Sequence, residues 1–256
     1  MELLDSHAHY NGEKFDEDRK LIIESIYNSG VTTIINAGYS LESSKKAIEI
    51  ANNYHFMYAT VGVSPNDIEN LPFDYIEKLK NMARQKKVVA IGEIGLDYYW
   101  NKENKDKQQE IFIKQIELAN EMNLPIVIHT REAIMDTIDT LKNQIICKNK
   151  GVFHCCPLNV ELVREALKLG FYMSFAGPIT FKSSKNAEEV VKMVPMDKIL
   201  TETDSPYLSP EPVRGTRNDS RNIQYIAQKI AQIKNMSIEE VTKQILKNAK
   251  TIFKII

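Results

Sequence analysis

The chain opens MELLDSHAHY (1–10): a short apolar run closed by two histidines, His7 and His9, one residue apart. The same figure recurs along the sequence. Short runs appear at ELLDSH (2–7), TTIINAG (32–38), MYATVGV (57–63), VVAIGEIG (88–95), PIVIHT (125–130), GVFHC (151–155), FYMSFA (171–176) and KILTETD (198–204). Several are rich in Val, Ile or Thr and bounded by Gly, Pro or Asn, which reads as buried strand. Between them lie stretches with helical apolar spacing, among them 16–30, 40–54, 108–122 and 159–170. Gly30 and Gly170 stand where helix C-caps belong, and Ser40 and Asn159 are N-cap candidates. The last part of the chain reads as two helices broken near Asn235-Met236-Ser237.

About eight strands alternating with about eight helices is the signature of a parallel sheet. With 256 residues, eight repeats point to a closed (β/α)8 TIM barrel. A doubly wound open sheet is the rival, but the chain has neither a G-x-G-x-x-G nor a G-x-x-x-x-G-K-[ST] motif. No linker, charge block or low-complexity tract divides it, so one barrel domain over 1–256 is expected.

Hydrophobic residues are 43% of the chain, enough for a large core. Net charge is -1, from 33 basic and 34 acidic residues. That excludes a broad basic surface for nucleic acid; any such contact must be local. Cys147, Cys155 and Cys156 form no C-x-x-C pair, so a cysteine zinc site and a disulfide framework are both disfavoured. The start lacks the basic and apolar regions of a signal peptide, and no apolar run is long enough to span a bilayer. A cytoplasmic protein, not bound to a membrane, is expected.

The ends of the strands carry the chemistry. Strand one ends in His7-Ala8-His9, strand four in Glu93, strand five in His129, strand six in His154 and strand eight in Asp204. Active sites of (β/α)8 barrels lie at the C-terminal ends of the strands. Taken singly, each residue has a plainer reading: a turn histidine, a buried acid paired to an arginine, or a helix N-cap at Asp204. Only His55 among the five histidines falls outside the set. Because side chains alternate along a strand, His7 and His9 point the same way and can share one ion. Together the six residues suffice for two divalent ions about 3.5–4 Å apart, with Glu93 as the bridge. The mixed nitrogen and oxygen set suits Zn2+ or Mn2+ and tolerates Mg2+. Such a pair activates water near neutral pH, with Asp204 as general base. Cys155 beside His154 suggests a thiol nucleophile, but neighbours on a strand point apart.

The motifs SHAHY, GEIGLDYY (92–99), IHTREA (128–133), His154-Cys155, ETDSPYL (202–208), RGTRN (214–218) and the closing NAKTIFKI, in this order, resemble the TatD family of the amidohydrolase superfamily. The resemblance spans nearly the whole chain. It implies a (β/α)8 barrel, a divalent-metal-dependent deoxyribonuclease activity, and ligands at His7, His9, Glu93, His129, His154 and Asp204, with Asp204 and Glu93 catalytic. There are two departures. Ser64 and Asn66 replace both histidines of a Gly-Val-His-Pro-His run, and Cys155-Cys156-Pro157 replaces a small turn after strand six.

On this reading the substrate is DNA, single-stranded or at a 3′ end, cleaved in the 3′–5′ exonuclease manner by a hydroxide held between the metals. Arg131 and Arg217 are candidate phosphate contacts, with Arg214 beside them, and Tyr99, flanked by Tyr98 and Trp100, is a candidate for base stacking. The arginines could instead pair with acids such as Glu132 or Asp219. Glu202 shares a strand face with Asp204 and is expected deeper, in support; Asn218 and Asn222 are expected to brace the same loop. Two other readings stay open: hydrolysis of an amide or ester such as aminoacyl-tRNA, and a non-catalytic metal-binding barrel.

Overall fold

The computed structural model describes residues 1–255. Eight strands form one sheet in sequential order, all neighbours parallel. They are β1 (Leu3–Ala8), β2 (Val31–Ala37), β3 (Met57–Val61), β4 (Val88–Asp97), β5 (Ile126–Arg131), β6 (Gly151–Phe153), β7 (Tyr172–Phe175) and β8 (Ile199–Thr201). Each crossover carries a helix: α1 (Arg19–Asn28), α2 (Leu41–Asn53), α3 (Tyr75–Ala83), α4 (Lys105–Met122), α5 (Ile134–Asp139), α6 (Val160–Lys168) and α7 (Ala187–Met193). Two more, α8 (Ile223–Lys234) and α9 (Ile238–Phe253), follow β8. This is the (β/α)8 barrel the alternation predicts. No helix among the described residues is long and apolar enough to cross a membrane.

Local chemistry sets the element limits. Ser40 caps α2, its hydroxyl accepting from Ser43 N at 3.1 Å while Ser43 Oγ accepts from Ser40 N at 2.7 Å. Asn159 Oδ1 accepts from Leu162 N at the head of α6. These bonds satisfy amides that a helix start leaves free. The break between α8 and α9 falls at Asn235, in the left-handed conformation at φ 52°.

The first and last strands meet through a short seam. Ala8 bridges Ser205, His9 N donates to Ser205 O (2.8 Å), and Asp204 N donates to His7 O (2.9 Å). Below them the fully buried Asp5 ties the seam together. Its Oδ1 accepts from Thr203 N (2.9 Å), and its Oδ2 accepts from Thr203 Oγ1 (2.5 Å) and Ser220 Oγ (2.6 Å). Burial pushes its carboxyl up to about 7, against the pull of these hydrogen bonds.

Strand limits differ from the sequence reading at three of the polar residues. β4 runs on to Asp97, so Glu93 lies inside the strand rather than at its end. β6 stops at Phe153 and β8 at Thr201, leaving His154 and Asp204 on the loops beyond. Cys155 (φ 39°), just past β6, and Asp204 (φ 56°), three residues past β8, are both left-handed, so neither continues an extended strand.

Candidate metal centre

The six residues singled out at the strand ends meet at the C-terminal mouth of the barrel, in two groups that share one carboxylate. On one side His7 Nε2, His9 Nε2, Asp204 Oδ1 and Glu93 Oε2 converge. Their separations are 3.1 Å between the imidazoles, 3.4 and 3.7 Å to Glu93, and 3.8 and 3.3 Å to Asp204. On the other side His129 Nδ1 and His154 Nε2 lie 3.2 Å apart, at 3.1 and 3.5 Å from Glu93 Oε1. Glu93 thus offers one oxygen to each pair of rings. His55 stays apart, between α2 and β3, with its ring edge-on to Tyr27.

The backbone brings β4 and β5 unusually close here. Gly95 pairs in register with His129, and a Cβ on Gly95 would fall 1.9 Å from His129 O. With φ at +144° as well, this position takes only glycine.

Three of the four imidazoles are oriented from behind. His9 Nδ1 lies 3.1 Å from Ala37 O, His129 Nε2 lies 2.8 Å from Asp97 Oδ2, and His154 Nδ1 lies 3.3 Å from Glu202 Oε1. Each of these acceptors fixes a proton on the outer nitrogen, so in the neutral ring the inner nitrogen carries the lone pair. Two lone pairs facing each other at about 3 Å, with a carboxylate beside them, form a donor set that a divalent cation satisfies. The residues therefore fit the metal dependence that the sequence implies.

Asp97 is the residue that sequence reasoning missed. It is buried, accepts from His129, Asn66 Nδ2 (3.3 Å), Tyr99 N (2.9 Å) and Trp100 N (3.1 Å), and lies on the same strand face as Glu93. The period of two from Glu93 was the available signal. Glu202 is fully buried and sits deeper than Asp204, although both lie past the end of β8 and share no strand face, and it also accepts from Cys155 N at 2.6 Å.

Burial alone would raise the Glu93 carboxyl, but the charge of His154 and hydrogen bonds from His129, His154 and His7 hold it well below the usual carboxylate range. Burial likewise opposes ionisation of Asp204, and the hydrogen bond and charge of His9 overcome it, keeping the carboxyl low. His154 is driven the other way: burial lowers it, Glu93 and Glu202 outweigh that, and it lies well above the ordinary imidazole value. His7 is lowered, by burial and then by the charge of His154. Burial and the nearby Glu202 and Asp204 raise the Cys155 thiol far above its usual value, which keeps it neutral and disfavours a thiol nucleophile.

Two clefts open from the mouth. The smaller, about 480 Å3, exposes His9 and Glu93 and is walled by Tyr39, Ser64 and Asp67. The larger, about 810 Å3, exposes His129, His154 and Asp204 and is walled by Trp100, Ile134 and Pro157. Asn66 and Tyr207 line both. Ser64 and Asn66 form a small turn in which Asn66 N donates to Ser64 Oγ and Asn66 Nδ2 reaches Asp97. Cys155 and Pro157 face the larger cleft, while Cys156 is buried.

Arg131 lies on the rim of the larger cleft with its guanidinium 3.8 Å from the Tyr99 ring centre. Glu132, weighed as its partner, reaches Lys102 instead at 3.8 Å. Arg217 lines neither cleft: its fork pairs with Asp18, and Nη1 donates to Lys14 O at 2.8 Å. Arg214 lies 3.8 Å from Glu211, and Asp219 pairs with Arg221. Tyr98 is buried, its hydroxyl 2.7 Å from Asp136, whereas Trp100 is 68% exposed. Asn218 Nδ2 donates to Thr203 O and Tyr207 O, and Asn222 Nδ2 donates to Asn218 Oδ1, bracing the Asp204 loop.

Comparison with known proteins agrees with this geometry. The family described as TatD-related DNase is matched over residues 4–254. The chain is 42% identical over 253 residues to the uncharacterized metal-dependent hydrolase YabD of Bacillus subtilis, covering 99% of each. It is 33% identical over 258 residues to the uncharacterized metal-dependent hydrolase YcfH of Escherichia coli K12, covering 100% of this chain and 97% of that one. The crystal structure of YJJV, a TatD homologue from Escherichia coli K12, superposes with a TM-score of 0.94 at 25% identity, covering 99% of this chain and 98% of that one.

Proposed function

Since this chain belongs to the TatD-related DNase family and is a metal-dependent hydrolase, we propose that it hydrolyses phosphodiester bonds of DNA, removing nucleotides from a single-stranded or 3′ end. One observation carries this reading: Glu93 turns its two oxygens to two separate imidazole pairs. That is the donor arrangement for two ions, His7, His9 and Asp204 serving one, His129 and His154 the other, and Glu93 both. When bound, two divalent ions supply Lewis acidity at the phosphate oxygens and lower the pKa of the attacking water. Mn2+, Mg2+ and Zn2+ all suit the set.

The chain's own residues do the rest. Asp204, ionised and at the mouth, takes the proton of the water that attacks phosphorus. Asp97, Glu202 and Ala37 O hold three rings with a proton on the outer nitrogen, so the inner nitrogen of each is the one that would meet an ion. The larger cleft, walled by Trp100, Ile134 and Pro157, receives a base.

The test is a screen of the purified protein with Mn2+, Mg2+ or Zn2+ against DNA, RNA, small phosphodiesters, amides and aminoacyl-tRNA. Single-stranded DNA should be degraded, and EDTA should stop the reaction. Asp204→Asn should lower kcat by about 10²-fold or more with the melting temperature kept. Turnover of amides or esters alone would overturn the nuclease reading.

A further inference from the structure

Each cleft at the mouth has one cation on its rim: Lys14 on the smaller, Arg131 on the larger. Neither has a carboxylate within 4 Å among the described residues, although most other arginines of the chain are paired. Each instead lies on an aromatic face. Lys14 Nζ is 4.5 Å from the Tyr207 ring centre, and Arg131 is 3.8 Å from that of Tyr99 and 5.5 Å from that of Trp100. A cation held this way keeps its N–H groups free for an anion and loses little freedom on binding one.

The support beneath Lys14 is rigid. It sits in a single turn, Glu13–Phe15, whose Phe15 is buried against Tyr10 at 4.7 Å. Arg217 grips Lys14 O from the other side. Arg217, expected from sequence to meet phosphate, is therefore placed to position the turn that carries Lys14.

The two clefts differ in character. The larger is mainly apolar beyond its histidines. The smaller sets Lys14 against Glu13 and Asp67, so it suits one phosphate at Lys14 and repels a run of them. We infer that Lys14 and Arg131 are a pair of phosphate-positioning residues on opposite sides of the centre, drawing a single strand across the mouth. The strand body lies in the larger cleft, and one departing nucleotide lies in the smaller.

This rests on the nuclease reading, and the experiment separates the two. Steady-state kinetics of the metal-loaded enzyme are measured on an oligothymidylate and on bis(p-nitrophenyl) phosphate, which has no flanking phosphates. Lys14→Ala and Arg131→Ala should each raise KM for the oligonucleotide about tenfold with kcat held within about twofold. Each should reduce the slope of log KM against log salt by about 1. The small diester should lose less than about threefold. Both side chains are exposed, so melting temperatures should hold; Lys14→Gln and Arg131→Gln, which keep much of each stem, guard against a packing effect. If wild type cleaves DNA and the variants match its oligonucleotide KM and salt slope, or lose equally on both substrates, this inference is overturned and the nuclease reading stands. If wild type cleaves neither substrate, both fall.

Discussion

Asp97 shows how much of the centre is decided behind it. His129 alone turns Nδ1 rather than Nε2 to the middle, because Asp97 holds the other nitrogen at 2.8 Å. Asp97→Asn can offer that nitrogen a donor instead of an acceptor, which favours the wrong tautomer. A loss of about 10–100-fold in affinity at the His129–His154 position is expected, read by calorimetric titration with Mn2+; unchanged affinity would show that Asp97 does not orient the ring. His7, His9, Glu93, His129, His154 and Asp204 were legible as candidates because each lies within or just past an apolar run, even where the strand itself ends elsewhere. Asp97 was hidden by its place in the same motif as Glu93, where the strand was read as ending at Gly95. Lys14 was hidden for another reason: its position depends on a turn packed by Phe15 and gripped by Arg217, some two hundred residues downstream. No local pattern encodes that contact.

Among the elements, the join of β1 to the segment after β8 is the most telling. Few backbone bonds close it, and Asp5 takes up the work with side-chain acceptors. Asp5→Ala strands buried donors of Thr203 and Ser220 and should cost about 2–5 kcal/mol, lowering the melting temperature by roughly 5–15 °C. The pH dependence has a definite sign. The folded carboxyl lies at about 7 and the unfolded one near 3.8, so the folded state binds the proton more tightly. Stability linked to Asp5 is full below about pH 4 and declines as pH rises to about 7, by up to about 4 kcal/mol. Asp5→Asn lacks this titration. The melting temperature of wild type relative to that variant should therefore fall between pH 5 and pH 8, and a constant difference would exclude the linkage. The strand order and most helix limits were legible from alternation and caps such as Ser40 and Asn159. The ends of β6 and β8 were not: β6 stops just before the left-handed turn at Cys155, and β8 stops at Thr201, three residues short of the left-handed Asp204, where the apolar run gives no sign.

For the molecule as a whole, the proposed ligands tie strands from around the barrel to one point, so metal and fold should stabilise each other. Free Mn2+ at about 100 times its dissociation constant contributes about 2.7 kcal/mol per site, or roughly 5–10 °C in melting temperature for a chain of this size. EDTA should reverse it. A melting curve indifferent to both would argue against ligands drawn from strands so far apart. The seam also gives the chain a timetable. During synthesis His7 and His9 leave the ribosome first, and nearly the entire barrel must follow before Asp204 reaches them. A nascent or prematurely terminated polypeptide holds the histidines without the acid assigned to take the proton. With the proposed role of Asp204, it should stay inert until the segment after β8 docks, and catalytic competence should arrive only with the finished barrel.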